Sequence, residues 1–226
     1  MMISPEGYYE EYLKGKSAEQ IMTAIRGLKK EMGHLKNTME HPDYGEQPVI
    51  HPSESTRLWC ARLYLERAKE ALTAAGGTYK PSQGELKAAD FDANIPNIKK
   101  LVFSIGGYFG GYETRTYTLD EERLYLDVEH SLFLKPTNLD IEPDYPCSKD
   151  EFLDGLRELH IGEWRSKYDL HRFGCMVLDG TQWELEIYFS NDHKAVKIYG
   201  DNAYPYNFDR FQELLGIELD EETDDD

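Results

Sequence analysis

The chain has few cysteines, no long apolar run and little positive charge for its size. Its three cysteines, Cys60, Cys147 and Cys175, lie far apart and match no zinc-ligand spacing. Reduced thiols in a cytoplasmic protein are therefore expected. Apolar runs extend over only a few residues, which excludes a membrane-spanning helix. The first residues lack the basic and apolar stretches of a secretory signal, so none is expected.

The deficit of positive charge is confined to the second part of the chain. Residues 1–80 hold 11 Lys or Arg against 11 Asp or Glu, whereas residues 81–226 hold 14 against 32 and account for the net charge of −18. An acidic surface repels nucleic-acid backbones and anionic membranes, so neither is expected as a direct partner. Residues 220–226 are nearly all acidic and are predicted to form a solvated tail.

Residues 1–80 carry the signals of a helical hairpin. Ser4, followed by a proline, starts a short helix, and the capping box Ser17–Gln20 opens a longer one. In the longer helix, apolar residues recur at alternating steps of four and three as far as Met39, which places them on one face. A second helix of matching length is predicted for residues 53–75. Two such helices, joined by a loop rich in proline and glycine, form an antiparallel pair.

A linker and a sheet domain are predicted to follow. Residues 81–97 are polar, contain two prolines and a glycine, and are predicted to form the linker. From Ile98 the hydrophobic period changes to two, which is typical of half-buried strands. Helices are expected to begin at the capping box Ser148–Glu151 and at Asn207. The sequence therefore predicts an α+β fold, in which an N-terminal antiparallel helical hairpin precedes an acidic antiparallel-sheet domain with two helices over residues 98–219. The predicted strands are Leu101–Ile105, Thr114–Thr118, Arg123–Val128, Trp183–Phe189 and Ala195–Tyr199.

The glycine cluster Gly106–Gly111 is the first candidate site. A phosphate-binding loop needs glycines that aim backbone N–H groups at the phosphate, a helix after the loop and, as a rule, a nearby lysine. Here a strand is predicted to follow, and the first basic residue after the cluster is Arg115. The cluster is therefore predicted to be a glycine-rich β-turn with exposed aromatic side chains.

Metal and catalytic sites find little support in the spacing of residues. The seven histidines form no H-x-x-x-H or H-E-x-x-H pair, so no metal and no cofactor is predicted. Glu184, Glu186 and Asp201 lie on or beside the last predicted hairpin, as acids do in metal-dependent nuclease cores. Such cores need a lysine two residues after the second acid, and the triplet Glu184–Leu185–Glu186 has glutamate there instead. A small enzyme that uses these carboxylates stays an alternative.

Tyrosine is the residue that exceeds expectation, with 16 copies. A tyrosine offers a large contact area at low rotamer cost, and it is enriched at recognition surfaces. Its β-propensity also favours a place on a sheet without any partner, and this alternative stays open. A tyrosine-bearing acidic face suits a basic partner protein, because charge steers the approach and aromatic side chains anchor it. The predicted contact residues are Tyr108, Tyr112, Glu184, Glu186, Tyr188, Asp201 and Tyr204.

Two segments near the C-terminus together match a pattern found in other proteins. Residues 179–187 have the sequence D-G-T-Q-W-E-L-E-I, and residues 197–205 have the sequence K-I-Y-G-D-N-A-Y-P. They resemble the C-terminal hairpin of uncharacterised bacterial proteins with a G-T-Q-W…G-x-N-A-Y-P pattern, a resemblance that implies no particular activity. Trp183 is expected to anchor the core, and Gly200–Asn202 to form a turn that leads to the helix capped by Asn207. The whole arrangement is also similar in type to toxin-immunity proteins and to phage counter-defence inhibitors such as anti-CRISPR proteins.

The favoured hypothesis is a non-enzymatic binding or inhibitor protein. Its acidic, tyrosine-rich C-terminal domain is expected to capture a basic or nucleic-acid-handling protein. One version of this hypothesis is a DNA mimic, which requires carboxylates spaced like phosphates. The alternatives are the small enzyme that uses clustered carboxylates and a self-assembling scaffold that forms a homodimer through the N-terminal helices.

Overall fold

The computed structural model shows an α+β protein, as predicted. The chain forms two compact units, residues 1–82 and residues 83–226, and each has its own buried core. Helices build the N-terminal unit, and a mostly antiparallel sheet with helices builds the C-terminal unit. Among the described helices, none has both the length and the apolar character needed to cross a bilayer. The structure describes residues 2–46, 51–107, 109–120, 123–131, 148–175 and 180–217. The predicted acidic tail at 220–226 lies outside these residues.

The three predicted helices of the N-terminal unit are confirmed, and local caps fix where they start. Ser4 Oγ accepts a hydrogen bond from the Gly7 N–H at 3.0 Å, while Ser17 and Gln20 form a reciprocal capping box. Ser53 caps the third helix through its hydroxyl. The helices are α1 (Pro5–Tyr8), which continues as a π-helix over Tyr9–Leu13, α2 (Ala18–Met39) and α3 (Glu54–Ala74).

Helices α2 and α3 pack as an antiparallel pair. Gly77, just beyond α3, lies so close to the start of α2 that a Cβ atom there would stand 3.2 Å from the Ala18 side chain. Arg57, near the start of α3, pairs with Glu31 in the second half of α2 at 3.3 Å. Most of the predicted apolar seam is buried, whereas Met32 and Met39 of α2 stay partly exposed. The residues of the core cluster between the helices are Leu13, Ile21, Ile25, Leu28, Ala61, Leu65, Ala68, Ala71 and Leu72.

The structure places a helix where a linker was predicted. Helix α4 (Gln83–Asn94) occupies the middle of residues 81–97 and leads through a 3₁₀ turn into the sheet. Phe91 and Ile95 are 3% and 0% exposed and belong to the core of the C-terminal unit, so this unit begins with α4. Leu86 of the same helix stays half exposed. Because Phe91 is the buried residue of α4, the helix has no continuous apolar face that its sequence could reveal. Its polar composition resembles that of a linker.

The C-terminal unit is built on a six-stranded sheet. Its strands are β1 (Ile98–Gly107), β2 (Gly111–Leu119), β3 (Leu124–His130), β4 (Lys167–Asp169), β5 (Gln182–Phe189) and β6 (Val196–Asp201), and two further helices are α5 (Lys149–Glu158) and α6 (Phe208–Leu214). The strands lie in the order β3-β2-β1-β5-β6-β4, and every pair of neighbours is antiparallel except β4 and β6. Five strands match the predicted ones. Strand β4 was not predicted, because three residues are too few to show a period of two.

Helices α4, α5 and α6 cover one face of the sheet, which we call the inner face. Phe152 of α5 stacks on Tyr117 of β2 with 5.2 Å between ring centroids. Phe211 of α6 meets Phe103 of β1 edge-on, also at 5.2 Å. Helix α4 contacts the neighbouring strand β5 in the same way. Aromatic edge-to-face contacts of this kind give the core a defined packing arrangement.

Contacts between residues 180–183 and residues 200–203 hold the last hairpin together. Trp183 is 2% exposed, and its Nε1 donates a hydrogen bond to the Ala203 carbonyl at 3.0 Å. A Cβ atom on Gly200 would lie 2.1 Å from this same indole nitrogen. Asn202 adopts a left-handed conformation (φ 50°), and its Oδ1 accepts from the Thr181 N–H at 2.9 Å. The prediction that Trp183 anchors the core is confirmed.

Asn207 precedes α6 but makes no capping hydrogen bond, so this part of the prediction is wrong. Its Oδ1 instead accepts from the Trp164 Nε1 at 3.1 Å, and its Nδ2 donates to the Leu159 carbonyl at 2.8 Å. At the other end of α6, an Arg115 nitrogen donates to the Leu215 carbonyl at 2.9 Å. Contacts with distant parts of the chain thus hold both ends of α6, and at its C-terminal end a left-handed Gly216 adds a local cap, in which the Ile217 N–H donates to the Gln212 carbonyl at 3.0 Å.

Candidate binding surface

The face of the sheet opposite the helices, which we call the outer face, presents polar and aromatic side chains. Side chains alternate along a strand, so the neighbours of each buried residue point to the other face. Within the described part of the C-terminal unit, α4, α5 and α6 all lie on the inner face. The charged and aromatic residues of the outer face are Lys100, Tyr112, Tyr125, Asp127, Glu129, Lys167, Asp169, Glu184, Glu186, Tyr188, Lys197, Tyr199 and Asp201.

Five of the seven predicted contact residues lie together on this face, namely Tyr112, Glu184, Glu186, Tyr188 and Asp201. Strand pairing places Tyr112 of β2, Gln182 of β5 and Asp201 of β6 in one row across the sheet, with β1 between Tyr112 and Gln182. The Tyr112 hydroxyl donates to Gln182 Oε1 at 2.8 Å. The other three predicted residues follow at alternate positions along β5. Neighbouring strands lie ~4.8 Å apart and alternate residues of one strand ~6.8 Å apart, so the five residues share one face of the sheet and form a patch that extends ~20 Å along β5.

The remaining two predicted residues are not part of this patch. Tyr108 lies outside the described residues. Tyr204 packs against Phe208 with 4.9 Å between ring centroids, at the margin of the core, and burial raises the pKa of its phenol. Tyr204 therefore contributes to packing, and the outer face is defined without it.

Glu186 is the centre of a small polar network on the outer face. Its carboxylate pairs with the Lys197 ammonium of β6 and accepts a hydrogen bond from the Tyr188 hydroxyl. The hydrogen bond from Lys197, followed by that from Tyr188, lowers the pKa of Glu186, and the same contact with Glu186 raises the pKa of Tyr188. Glu186 is therefore ionised, and its carboxylate holds the side chains of Lys197 and Tyr188 in place.

A second ion pair lies at the edge of the sheet, on β4. Lys167 Nζ stands 3.0 Å from an Asp169 carboxylate oxygen, and it also lies over the Tyr199 ring at 5.6 Å from the centroid. The hydrogen bond from Lys167 lowers the pKa of Asp169, and the pKa of Lys167 is raised in return. Tyr199 was absent from the predicted contact residues although it is 44% exposed, and the alternation along β6 could have identified it.

The outer face has a mixed charge. Lys100, Lys167 and Lys197 interrupt the carboxylates along the middle and the β4 edge of the sheet. The outer face has six carboxylates. Among the described residues, Glu186 pairs with Lys197 and Asp169 pairs with Lys167. The other four lie on β3, β5 and β6 and provide the acidic character of the surface.

The tip of the β1–β2 hairpin adds an exposed aromatic ring to this end of the sheet. Phe109 is 81% exposed, between the paired residues Gly107 and Gly111. Gly111 has a φ of 75°, a left-handed conformation that favours glycine and allows the tight reversal. The prediction of a glycine-rich turn with exposed aromatic side chains is confirmed for Phe109, the residue of the tip whose side chain the structure describes.

The surface beside Glu184 of the predicted carboxylate cluster is only slightly concave. A shallow depression of about 260 Å³ is lined by Glu184, Lys197, Tyr199 and their neighbours. Small-molecule sites usually enclose ~300–1,000 Å³. Within the described residues, no group of three or more His, Cys, Asp or Glu side chains is arranged to hold a metal ion. Cys60 is buried and Cys175 is exposed, while Cys147 lies outside the described residues.

Comparison with known proteins returns no relative: no family model, no curated protein and no solved structure matches the chain. The function must therefore be inferred from the surface itself.

Proposed function

We propose that the protein is a non-enzymatic binding protein whose C-terminal unit captures a basic protein partner on the outer face of its sheet. The observation that supports this function is the juxtaposition of Tyr112, Glu184, Tyr188 and Asp201 on a face opposite the helices. Tyrosine is enriched at protein-recognition surfaces, and exposed carboxylates attract the basic groups of a partner. An inhibitor of the immunity or phage counter-defence type is one form of this function.

Exposed aromatic side chains supply the anchors that such a surface needs. Phe109, Tyr125 and Tyr199 are 81%, 49% and 44% exposed. Aromatic residues dominate the energetic centres of protein interfaces, because they bury a large area and lose little rotamer freedom. The partner is expected to present apolar pockets beside its basic groups.

The charge pattern favours a basic protein over a true DNA mimic. A mimic needs an uninterrupted series of negative groups, and Lys197 neutralises Glu186 in the middle of the face. The net charge of −18 still steers a basic partner towards the protein. Proteins that handle nucleic acids fit this description, since their binding surfaces are rich in Lys and Arg.

The enzyme alternative receives no support from the geometry. Glu186 is engaged by Lys197 and Tyr188, and Glu184 lines a depression of only about 260 Å³. General acid–base chemistry needs a titratable group that can reach a bound substrate. The outer face instead holds its carboxylates on a surface open to a large partner.

The proposal is tested by removing two outer-face charges without changing the fold. Glu184→Gln together with Asp201→Asn is expected to weaken binding about tenfold, because each removes a charge that the partner approaches. Immobilised wild-type and variant proteins are exposed to an extract of the encoding organism. Retained proteins are identified by mass spectrometry, and their dissociation constants are measured against salt concentration. Proteins that bind the wild type are expected to be basic and to bind less tightly as salt rises.

A matched control removes the same charge from the other side of the unit. Asp209→Asn together with Glu213→Gln alters exposed residues of α6, which packs on the inner face, and binding should stay within twofold of the wild type. Equal losses from both double variants would show that net charge alone acts. Binding that does not depend on salt, or that survives Glu184→Gln/Asp201→Asn, would contradict the proposal.

A further inference from the structure

The N-terminal unit contains an open groove of about 880 Å³, a volume within the range of small-molecule sites. The groove lies between the π-helix, α2 and α3, and the residues at the start of the chain form one end. Its apolar walls include Ile3, Ala24, Leu28 and Ala61. A few charged groups converge on it, so the groove combines an apolar body with defined polar contacts.

Three stacked tyrosine rings form one side of the groove. Tyr8 lies between Tyr64 and Tyr12, with ring centroids 4.4 Å and 5.0 Å apart and interplanar angles of 7° and 29°. The Tyr64 hydroxyl accepts from the Ile3 N–H at 3.2 Å and donates to the Ile3 carbonyl at 2.6 Å, which fixes the end of the stack. Tyr12 at the other end is 51% exposed and lines the groove, so a further aromatic ring can pack against it there, and Tyr12 also borders a smaller depression with Lys16 and Gln20.

A π-helical turn sets the position of this stack. The Lys14 N–H donates to the Tyr9 carbonyl at 2.8 Å, five residues earlier, and Leu13 is buried at 1% exposure. Tyr8 and Tyr12, four residues apart, lie one above the other, and Leu13 of this turn enters the core. Single π-turns are rare and occur frequently at functional sites. The irregular turn therefore points to the tyrosine stack as a site in its own right.

The charged groups of the groove select a cation. Glu31 is paired with Arg57 at 3.3 Å, so the positive charge of Arg57 is already engaged. Glu11 forms no ion pair with a described residue, and a hydrogen bond with Glu11 raises the pKa of Tyr12. Burial and then the charge of Glu31 raise the pKa of Tyr8. The groove is thus lined by two carboxylates, the Arg57 guanidinium and the His51 imidazole, with Glu11 as the carboxylate that Arg57 does not engage, and the faces of tyrosine rings also attract cations.

We propose that this groove binds an aromatic organic cation, whose ring stacks on Tyr12 and whose positive charge lies beside Glu11. Neutral aromatic molecules can stack there but leave Glu11 without a counter-charge. Anions meet Glu11 and the negative ring faces, and are repelled. This site belongs to the N-terminal unit and does not depend on the function proposed for the outer face.

Gly27 allows the groove to be blocked without disturbing the helix. It lines the groove from the middle of α2, and a Cβ atom there would meet nothing within 4 Å. Gly27→Leu therefore fills the groove and also replaces a poor helix former with a good one. Gly33 lies on the same helix, is exposed and has equally open surroundings, and it is not among the groove residues. Gly33→Leu is the matched control.

The experiment uses the full chain and three probes of one shape, which are 1-methylquinolinium, neutral quinoline and the anion quinoline-4-carboxylate. Isothermal titration calorimetry at neutral pH should show 1-methylquinolinium binding about tenfold more tightly than quinoline, the ratio expected of a cation–π contact with a nearby carboxylate. Gly27→Leu should weaken this binding at least tenfold, and Gly33→Leu should leave it within twofold. Glu11→Gln should bring the two affinities close together.

Several results would overturn the proposal. These are equal affinity for all three probes, preference for the anion, no binding of the cation, or unchanged binding by folded Gly27→Leu. If light scattering shows that Gly27→Leu converts a dimer into a monomer, a second copy of the chain occupies the groove instead. If Gly27→Leu does not fold, Tyr12→Leu supplies the same test, because Tyr12 is half exposed and lies outside the buried core.

Discussion

At the scale of single residues, one glycine and one tryptophan hold the last hairpin together. The indole of Trp183 occupies the space in which a Gly200 side chain would stand, and its N–H is satisfied by the carbonyl of Ala203. A buried indole N–H without an acceptor is costly, so the backbone around Ala203 has to follow the path that it does. Asn202, which lies between Gly200 and Ala203 in the sequence, adopts the left-handed conformation that turns the chain.

Gly200→Ala is expected to destabilise the C-terminal unit by ~2–3 kcal/mol, because overpacking in a filled core costs this much. The added methyl group would lie 2.1 Å from the Trp183 nitrogen, and the large indole ring cannot move away within the core. Urea unfolding followed by tryptophan fluorescence measures the change. Gly84→Ala in α4, where a Cβ atom meets nothing within 4 Å, is the control and should be neutral or stabilising. Equal midpoints for both variants would show that the hairpin adjusts to the methyl group.

At the scale of elements, α4 shows how tertiary contacts can hold a mostly polar helix against the core. Its side chains are mostly polar, and Phe91 and the following Ile95 are its contributions to the core. The backbone of α4 also lies close to Gly162, since a Cβ atom on Gly162 would stand 2.8 Å from the backbone of Ala88. Lys87 adds a hydrogen bond to the Trp164 carbonyl at 3.0 Å, and burial lowers the pKa of this lysine.

Phe91→Ala is expected to cost ~3–5 kcal/mol of stability, the usual loss when a buried phenylalanine is truncated. Leu86→Ala on the same helix should cost less than ~1 kcal/mol, because Leu86 is half exposed. Chemical unfolding of both variants decides the point. If Phe91→Ala were as mild as Leu86→Ala, α4 would behave as the linker that its composition suggests.

At the scale of the whole molecule, charge and packing divide the chain at nearly the same place. The count of acidic and basic residues is balanced over residues 1–80, and the compact units are residues 1–82 and 83–226. The two cores share no residue, so each unit buries its own apolar surface. Two candidate sites of different character follow from this division, an acidic surface for a basic protein and an aromatic groove for a small cation.

Residues 1–82 and 83–226, produced as separate polypeptides, are expected to fold independently, because each has its own core. Far-UV circular dichroism should show a helical spectrum for the first segment, and both should unfold cooperatively in urea. Light scattering on residues 1–82 also tests the scaffold alternative, which requires a dimer. A segment that stays unfolded would show that its core needs the other unit.

Features that depend on residues close in the sequence were predicted correctly, and features that depend on distant residues were not. Caps at Ser4, Ser17 and Ser148 located helix starts correctly, because capping is a contact between residues three apart. Alternation along β5 correctly separated Trp183 and its buried partners from Glu184 and the outer face. Asn207 was misjudged, since its amide bonds to residues more than 40 positions away, and such contacts leave no local signal.

The sequence by itself determined the α+β class, the helical hairpin, the five longer strands and the faces of those strands, because hydrophobic period and capping act over a few residues. Only the tertiary structure decided that α4 belongs to the core, that Tyr204 packs inward, and that Lys197 neutralises Glu186. The tyrosine groove likewise depends on Tyr8 and Tyr64 meeting across 56 positions of the chain. Contacts of this range depend on the packing of whole elements against one another, and no local pattern of residues encodes them.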